Sequence, residues 1–333
     1  MNGPILIFGL PRSGTTWIGK LFDSHPDTLY RHEPDSTYRL AMPLFPDRNE
    51  AGHYRQKLEK YIAALPDMRT AKIAGKQPLF LKNYHSKPAL IAYRGSVAFA
   101  KFSGRLFPDM PLPFCTTGKG YDRLRVVWKS IESLGRLGAC MEALPDARAI
   151  HILRHPCGYV ASVLRGENHH HFVSHTPTSE DYGIFEMLLA TAPARHRGLT
   201  LADLKKLTSE ERLAWRWVLA HEKVLADTQD SDRMLRLRYE DVCANPMVET
   251  RRMFEFAELP WHRQTEKFIS ASTSQPQGNY YSVFKIPMES AQRWRSELTA
   301  EVIERVLKVL QGSMMQQFYE RDLPINSPAS SLQ

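Results

Sequence analysis

The sequence predicts an α/β fold with a doubly wound, mostly parallel sheet and helical insertions. Three observations lead to this prediction. Short apolar runs alternate with amphipathic segments, as strands alternate with helices around a parallel sheet. The first apolar run ends in a glycine-rich turn that leads into an amphipathic segment. Charged or aromatic side chains stand where the runs end, and open parallel sheets bind ligands at that edge.

Five strands are predicted, each from a short apolar run. They are residues 5–9, 28–31, 125–128, 149–153 and 234–237. The apolar residues between and after these runs recur with the spacing of one helix face, and prolines stand at helix starts and ends. The predicted helices cover residues 15–24, 133–144, 156–165 and 246 to about 258.

We expect a single domain over residues 1–323, because 333 residues lie within the range of one large α/β domain. Residues from about 40 to 124 and from about 166 to 230 interrupt the alternation and are predicted to be helical insertions. The second contains an amphipathic stretch at residues 209–228. The polar, proline-containing residues 324–333 predict a disordered tail.

The composition is that of a globular protein, with 43% apolar residues and a formal charge of +8. This excess of positive charge predicts an electropositive surface and an anionic partner. Basic residues are scattered, without a nucleic-acid-binding motif, so no nucleic acid partner is expected. The four cysteines are far apart, which argues against a zinc site or a disulfide framework. Without a long apolar stretch or room for a leader before the first strand, we expect no membrane span and a cytoplasmic location.

The segment FGLPRSGTTW, residues 8–17, follows the first predicted strand. Gly9 and Gly14 have the spacing of a P-loop, but Thr15 replaces the loop lysine. Such a loop at the start of a helix offers backbone N–H groups to an anion, and Arg12 can add bidentate contacts to phosphate or sulfate oxygens. A tight turn without a ligand is the alternative for the glycines alone.

Other polar side chains follow the remaining predicted strands. Glu33 follows the second strand, Lys129 the third, Arg154 the fourth and Tyr239 the fifth. Metal-dependent phosphotransferases need the loop lysine and an aspartate at a strand end to hold Mg²⁺. Because Thr15 and Lys129 stand at those places, the pattern favours an anionic donor bound by protein cations. A kinase with an unusual P-loop and a nucleotide-binding protein without catalysis stay open.

Residues 11–16, PRSGTT, resemble the 5′-phosphosulfate loop of sulfotransferases that use 3′-phosphoadenosine 5′-phosphosulfate (PAPS). Arg154 and Ser162, in LRHPCGYVAS, resemble the family's 3′-phosphate element, in which an acidic residue usually follows the arginine; His155 takes that place here. The resemblance implies PAPS as donor, PAP as product, a P-loop type of fold and no metal.

The stretch HPDTLYRHEPDS is most similar to carbohydrate and protein-tyrosine sulfotransferases. This resemblance implies that Glu33 is the catalytic base, that Lys129 and Arg12 stabilise the transferring group, and that the acceptor is a hydroxyl of a sugar, lipid or small molecule. The nucleotide-binding residues implied by the resemblance are Pro11, Arg12, Ser13, Gly14, Thr15, Thr16, Trp17, Arg154, Ser162, Arg165, Tyr239, Arg293 and Trp294. The last two come from RWRSEL, which resembles the C-terminal nucleotide loop loosely, as does GNYYSVFKIP.

Several candidates also have purely structural interpretations. Tyr239 is equally consistent with a strand-end packing residue, and Trp215 and Trp217 are expected in the core. His169, His170 and His171 are adjacent and point in different directions on any regular element, so a solvated or substrate-lining loop is favoured over a metal site.

Overall fold

The computed structural model describes residues 3–103, 112, 124–168, 176–229, 231–274 and 287–322. Within them lies one five-stranded sheet in which every neighbouring pair of strands is parallel. The strand order is β2-β3-β1-β4-β5. The strands are β1 (Ile5–Gly9), β2 (Thr28–His32), β3 (Arg125–Ser130), β4 (Arg148–Leu153) and β5 (Met234–Arg238). The predicted α/β class with a parallel sheet is confirmed.

Helices connect and follow the strands. The first five are α1 (Thr15–Asp23), α2 (Ala51–Ala64), α3 (Ala71–Ala74), α4 (Lys87–Ser103) and α5 (Leu137–Ala143). The next five are α6 (Pro156–Asn168), α7 (Tyr182–Leu189), α8 (Ala192–Arg195), α9 (Leu201–Lys206) and α10 (Ser209–Asp227). The last six are α11 (Tyr239–Ala244), α12 (Pro246–Phe256), α13 (Arg263–Ser274), α14 (Pro287–Gln292), α15 (Trp294–Glu297) and α16 (Ala300–Leu310).

The chain divides into two compact units. The first unit comprises Met1–Leu153 and Asp227–Ser290 and contains the whole sheet. The second comprises Arg154–Ala226 and Ala291–Gln333. The expectation of one domain over residues 1–323 stays a prediction.

The strand order creates a switch point between β1 and β4. From β1 the chain continues to β2 at one edge of the sheet, whereas from β4 it continues to β5 at the other edge. Gly9, the last residue of β1, pairs with Ile152 of β4. In doubly wound sheets, ligands bind beyond the carboxyl ends of strands at such a point. The glycine loop therefore begins at the place where a ligand is expected.

The sheet is the core of the first unit. All five side chains of β1 are buried, as expected for a central strand covered on both faces. Phe8 lies edge-on to Trp128 of β3 at a centroid distance of 4.9 Å, and Trp128 contacts Tyr61 of α2 at 5.0 Å. Large aromatic rings thus fix the positions of β1 and β3, which carry the site residues.

Aromatic packing also defines the second unit. Trp217 of α10 is fully buried, and its indole N–H donates a 3.0 Å hydrogen bond to the Arg154 carbonyl oxygen. The ring also contacts His221 and Tyr319. The prediction that Trp217 belongs to a core is confirmed, while Trp215 is half-buried.

The structure differs from the predicted elements mainly at strand ends. β2 continues to His32 and β3 to Ser130, so Lys129 lies within a strand and not after it. Tyr239 opens α11 instead of ending a strand. The sequence pattern missed these extensions because it follows apolar side chains, and the added residues are polar groups with buried partners. The segment at 133–144 is a 3₁₀ turn, Leu134–Arg136, followed by α5.

The described parts of the two predicted insertions are helical. They contain α2 to α4 and α7 to α10. The proposed tail, residues 324–333, lies outside the described residues. Across the described ranges, none of the helices has the length and apolarity needed to cross a bilayer.

Candidate active site

The glycine loop connects β1 to α1 through a left-handed turn. Arg12 has φ +71° and Gly14 has φ +84°. The Ser13 hydroxyl donates to the Leu10 carbonyl oxygen at 2.6 Å. Gly14 precedes α1 and contributes no side-chain cap, so the helix begins with N–H groups that an anion can accept from.

Close approach explains both loop glycines. A Cβ on Gly9 would lie 2.7 Å from Ser13 Oγ and 2.9 Å from Thr15 Cγ2. A Cβ on Gly14 would lie 2.3 Å from the Tyr239 ring. A side chain at either position would therefore distort the loop. Tyr239 is buried against Gly14 and lies edge-on to Trp17 at 6.4 Å.

The loop side chains differ in exposure. Ser13, Thr15 and Trp17 are buried, and the Trp17 indole donates a 3.1 Å hydrogen bond to the Ser272 hydroxyl. This places Trp17 in the interior of the first unit. Pro11, Arg12, Gly14 and Thr16 are half-buried. These four, with the helix N–H groups, are the loop residues nearest to solvent.

Glu33 and Lys129 form an ion pair at the carboxyl edge of the sheet. The Lys129 ammonium contacts Glu33 Oε1, and the Glu33 N–H donates a 2.8 Å hydrogen bond to the Lys129 carbonyl oxygen. Lys129 is fully buried. Burial lowers its pKa, and the neighbouring Glu33 carboxylate offsets part of that effect. Lys129 is also in register with Ile7 of β1, two residues before the glycine loop begins.

Glu33 has a left-handed backbone, with φ +48°. Among the described residues, the other non-glycine residues with positive φ are Arg12 and Glu258. This conformation costs roughly 1–2 kcal/mol for an ordinary residue, and such residues cluster at functional sites. Two of the three thus coincide with side chains selected from the sequence.

His32 lies between Tyr30 and Glu33. Its Nδ1 is 2.9 Å from the Tyr30 hydroxyl, and its Nε2 is 3.6 Å from Glu33 Oε1. Burial, with a further contribution from Lys129, holds the pKa of His32 well below its usual value, so the imidazole is neutral. Burial also raises the pKa of Tyr30 well above its usual value. Tyr30 therefore keeps its hydroxyl proton within hydrogen-bonding distance of Nδ1, while Nε2 of the same ring faces Glu33.

A second carboxylate, Asp35, fixes the backbone that follows Glu33. Its Oδ2 accepts from the hydroxyls of Ser130 and Ser133, the latter at 2.6 Å. Its Oδ1 lies 3.4 Å from the Trp128 indole nitrogen. Asp35 is buried and connects the segment after β2 to β3. The paired groups belong to the segments Glu-Pro-Asp and Trp-Lys-Ser of the sequence, but only the folded structure shows that these two segments contact each other.

Behind Tyr30 lies a buried charge cluster that the sequence reading missed. Asp23 contacts the ammonium groups of Lys20 and Lys82. Burial alone would raise the pKa of Asp23, but the two lysines outweigh burial and hold it below its usual value. Lys20 also lies over the Tyr30 ring at 5.5 Å. The cluster therefore packs against β2, whose last residue, His32, directly precedes Glu33.

Three residues that the sequence resemblance assigned to a 3′-phosphate, Arg154, Ser162 and Arg165, belong to the second unit. Arg154 follows β4 directly in the chain and is buried, as is Ser162 of α6. Arg165 donates to Ser162 Oγ at 3.4 Å and pairs with Glu297. A Cβ on Gly158 would lie 3.1 Å from Arg154 Nε, so the arginine side chain runs along the first turns of α6.

His155 follows Arg154, at the position where the sequence resemblance leads us to expect an acidic residue. The Cys157 N–H is 3.2 Å from His155 Nδ1, so the imidazole accepts the hydrogen bond that a carboxylate cap would accept at the start of α6. Its ring stacks on Trp294 at 4.5 Å with an interplanar angle of 3°. Its Nε2 lies 3.6 Å from Asp322 Oδ2.

Trp294 and Arg293 differ in placement. Trp294 is buried by its stack on His155, whereas Arg293 is exposed. His169, His170 and His171 lie outside the described residues, as does most of GNYYSVFKIP. In the portion of the chain that is described, no group of three or more His, Cys, Asp or Glu side chains is arranged to hold a metal ion.

A glycine loop at the switch point of a parallel sheet, followed by a paired carboxylate and ammonium, defines the site of a group-transfer enzyme for an anionic donor. The model of the sulfotransferase family matches residues 4–263. The chain therefore belongs to the sulfotransferase family.

Individual relatives are more distant. Carbohydrate sulfotransferase 3 of Tetronarce californica is 32% identical over 85 residues, which cover 25% of this chain and 19% of that protein. Carbohydrate sulfotransferase 1 of Mus musculus is 22% identical over 363 residues, covering 98% of this chain and 82% of that protein.

Two solved sulfotransferase structures are also similar to this chain. The sulfotransferase domain from the curacin biosynthetic pathway is 14% identical, with a TM-score of 0.47 and coverage of 97% of this chain and 99% of that one. Mouse sulfotransferase SULT7A1 complexed with PAP is 11% identical, with a TM-score of 0.42 and coverage of 96% and 88%.

Proposed function

We propose that this sulfotransferase uses PAPS as its donor and transfers the sulfuryl group to a hydroxyl of a carbohydrate, lipid or small molecule. The observation that carries the proposal is the Glu33–Lys129 ion pair, which lies at the strand edge where the glycine loop begins. The loop residues fit an anion because Gly14 leaves the start of α1 without a side-chain cap.

The chain's own residues have separate tasks in this proposal. Loop N–H groups, Ser13 to Thr16, and the Arg12 guanidinium bind the 5′ side of the donor. Arg154, Ser162 and Arg165 bind its 3′-phosphate. Tyr239, Arg293 and Trp294 are assigned to the nucleotide by the sequence resemblance; Trp294 and Tyr239 are buried in the structure, so they support the site by packing.

Glu33 is proposed as the general base. Its carboxylate accepts the proton of the acceptor hydroxyl, whose oxygen forms the new bond to sulfur. Lys129 and Arg12 stabilise the negative charge on the sulfonate and on the bridging oxygen that leaves with PAP. The donor supplies only the sulfuryl group. No metal is expected, because Lys129 stands at the place where magnesium-dependent enzymes use an aspartate.

Thermal-shift titration tests the donor assignment. Stabilisation by 3′,5′-ADP without Mg²⁺ is the expected result, because a ligand that binds the folded state raises its stability. Stabilisation only by ATP with Mg²⁺ would favour the kinase alternative instead. Transfer of label from PAPS to a mixed panel of sugar, lipid and small alcohols then tests catalysis. Binding of 3′,5′-ADP without any transfer would identify a nucleotide-binding protein that lacks activity. The cytoplasmic location expected from the sequence stays a prediction.

A further inference from the structure

Helix α4 carries an apolar face that is open to solvent. Phe102 is 89% exposed, Ile91 71% and Phe99 60%. At 3.6 residues per turn, these residues and their apolar neighbours lie within an arc of about 120° and extend along about 20 Å of the helix. The face consists of Pro88, Ile91, Ala92, Gly95, Ala98, Phe99 and Phe102, all of them exposed. A Cβ on Gly95 would meet no atom within 4 Å.

The opposite side of α4 anchors the helix to the first unit. Val97 and Ala100 are buried in a cluster with Leu79 and Leu112. The Tyr93 hydroxyl donates to the Ala74 carbonyl oxygen at 2.9 Å. The inner side therefore accounts for the folding of α4. The exposed face is a second apolar surface that the fold itself does not require, and surfaces of this kind mark interaction sites.

The charge along α4 indicates the kind of partner. Lys87 and Arg94 are seven residues apart, which places both at the border of the exposed apolar face. The helix sequence KPALIAYRGSVAFAKFS contains no acidic residue. An apolar face bordered by cations is the pattern of helices that lie in the interface of an anionic membrane.

A second copy of this chain fits the face less well. Two copies packed through α4 would bring their rows of Lys87 and Arg94 close together, in a chain whose formal charge is already +8. Like charges at an interface oppose association. An anionic phospholipid surface instead attracts the same cations.

We propose that α4 docks this sulfotransferase onto the surface of an anionic phospholipid bilayer. Phe99, Phe102 and Ile91 enter the boundary between headgroups and acyl chains, while Lys87 and Arg94 contact lipid phosphates. The helix lies in the plane of the interface and does not span the bilayer. This surface is separate from the glycine loop and from the Glu33–Lys129 pair, so binding to lipid does not depend on the proposed catalytic roles.

Vesicle sedimentation with the full chain tests this proposal. The protein is expected to sediment with vesicles of phosphatidylcholine mixed with phosphatidylserine, and to be released as salt is raised. The double variant F99S/F102S should lose roughly tenfold or more of this binding, because its apolar area no longer enters the bilayer. V248S is the matched control, since Val248 is 63% exposed on α12, and should bind like the unmodified protein.

A charge pair of variants separates electrostatic attraction from apolar insertion. K87Q/R94Q should weaken binding roughly tenfold, whereas K57Q/K60Q on α2, with the same change in charge, should have little effect. Circular dichroism melts verify that each variant is folded. Equal losses of vesicle binding in the charge variants of α4 and of α2 would overturn the assignment of the docking surface to α4.

Three other results would also overturn the proposal. The first is no sedimentation with the mixed vesicles. The second is a dimer of the unmodified protein that F99S/F102S converts to a monomer in light scattering, which would assign the face to a second copy. The third is protection of a Phe99→Trp indole from iodide quenching, which would show that the chain's own residues cover the face.

Discussion

Lys129 and Glu33 are joined twice: their side chains form an ion pair, and the Glu33 N–H donates a 2.8 Å hydrogen bond to the Lys129 carbonyl oxygen. The backbone bond fixes the distance between the end of β2 and β3. The ammonium group then determines the direction of the carboxylate. A carboxylate and an ammonium group are thus held together at the edge of the sheet, and the predictions about catalysis depend on this arrangement.

Replacing Glu33 by glutamine should lower the rate of sulfuryl transfer by roughly 10²–10⁴-fold, the range expected for loss of a general base. Binding of 3′,5′-ADP, measured by calorimetry, should change little, since the loop and α6 are untouched. Glu132→Gln is the matched control, because Glu132 is a nearby exposed carboxylate in the turn that follows β3. Near-normal turnover of Glu33→Gln would remove Glu33 from the mechanism.

The ammonium of Lys129 should set an alkaline limit to activity. Because burial lowers its pKa below 10.5, the group loses its charge earlier than an exposed lysine as pH rises, and the rate should fall through that pKa. Lys129→Arg keeps its charge at high pH, so its pH–rate profile should lack this alkaline decrease. A decrease at the same pH in Lys129→Arg and in the control Lys206→Arg would assign the titration to another group.

His32 is expected to act as a positioning residue for Glu33. His32→Leu removes the ring nitrogen that faces the carboxylate at 3.6 Å, so kcat should fall roughly threefold to tenfold as the carboxylate loses this polar neighbour. Tyr30→Phe should reproduce part of this loss, because it frees the Nδ1 side of the same ring. Tyr93→Phe, which removes a hydroxyl that donates to the Ala74 carbonyl oxygen of α3, should have normal kcat. A change in KM without a change in kcat would argue against this positioning role of His32.

Arg154→Ala should weaken 3′,5′-ADP roughly 10- to 100-fold, as expected for loss of charge-assisted hydrogen bonds, and should spare 5′-AMP. Calorimetry with the two nucleotides measures this difference directly. Lys206→Ala, on the exposed surface of α9, provides the control for nonspecific charge loss. Equal losses for both nucleotides would contradict the 3′-phosphate assignment.

The environment of His155 predicts which replacements α6 tolerates. His155→Asn keeps an acceptor for the Cys157 N–H, whereas His155→Asp keeps the acceptor but places a carboxylate beside Asp322. We therefore expect His155→Asp to be less stable than His155→Asn by about 1 kcal/mol. Urea unfolding at neutral pH measures the difference. Raising the salt concentration should reduce this difference in stability, since the Asp322 carboxylate is partly exposed and its repulsion is screened. Equal stability of the two variants would contradict the expected repulsion.

Sequence reasoning found the sheet because its central strands are continuous apolar runs. It also found the loop and Glu33, since glycine spacing and strand ends are local features. Lys129 was selected, but as a residue after a strand. Its actual place inside β3 depends on Glu33, which is far away in the chain, and no local pattern of apolar residues contains that information.

Other parts of the site depend entirely on tertiary structure. Asp35 accepts hydrogen bonds from serine hydroxyls at the end of β3 and in the turn after it, and Asp23 pairs with lysines from two separate segments. The resemblance to known sulfotransferases treated His155 as a departure. Only its hydrogen bond to Cys157 and its stack on Trp294 show that it performs the capping task with different chemistry.

The contact between Gly14 and Tyr239 has a consequence for how the loop can vary. Position 14 excludes a side chain for two independent reasons, its φ of +84° and the ring that lies against it. Shortening Tyr239 would remove only the second, so a substitution at position 14 would still strain the turn. Position 14 is therefore more strongly constrained than position 239. Tyr239 can be replaced while Gly14 stays, whereas a side chain at position 14 would strain the turn whichever residue stands at position 239.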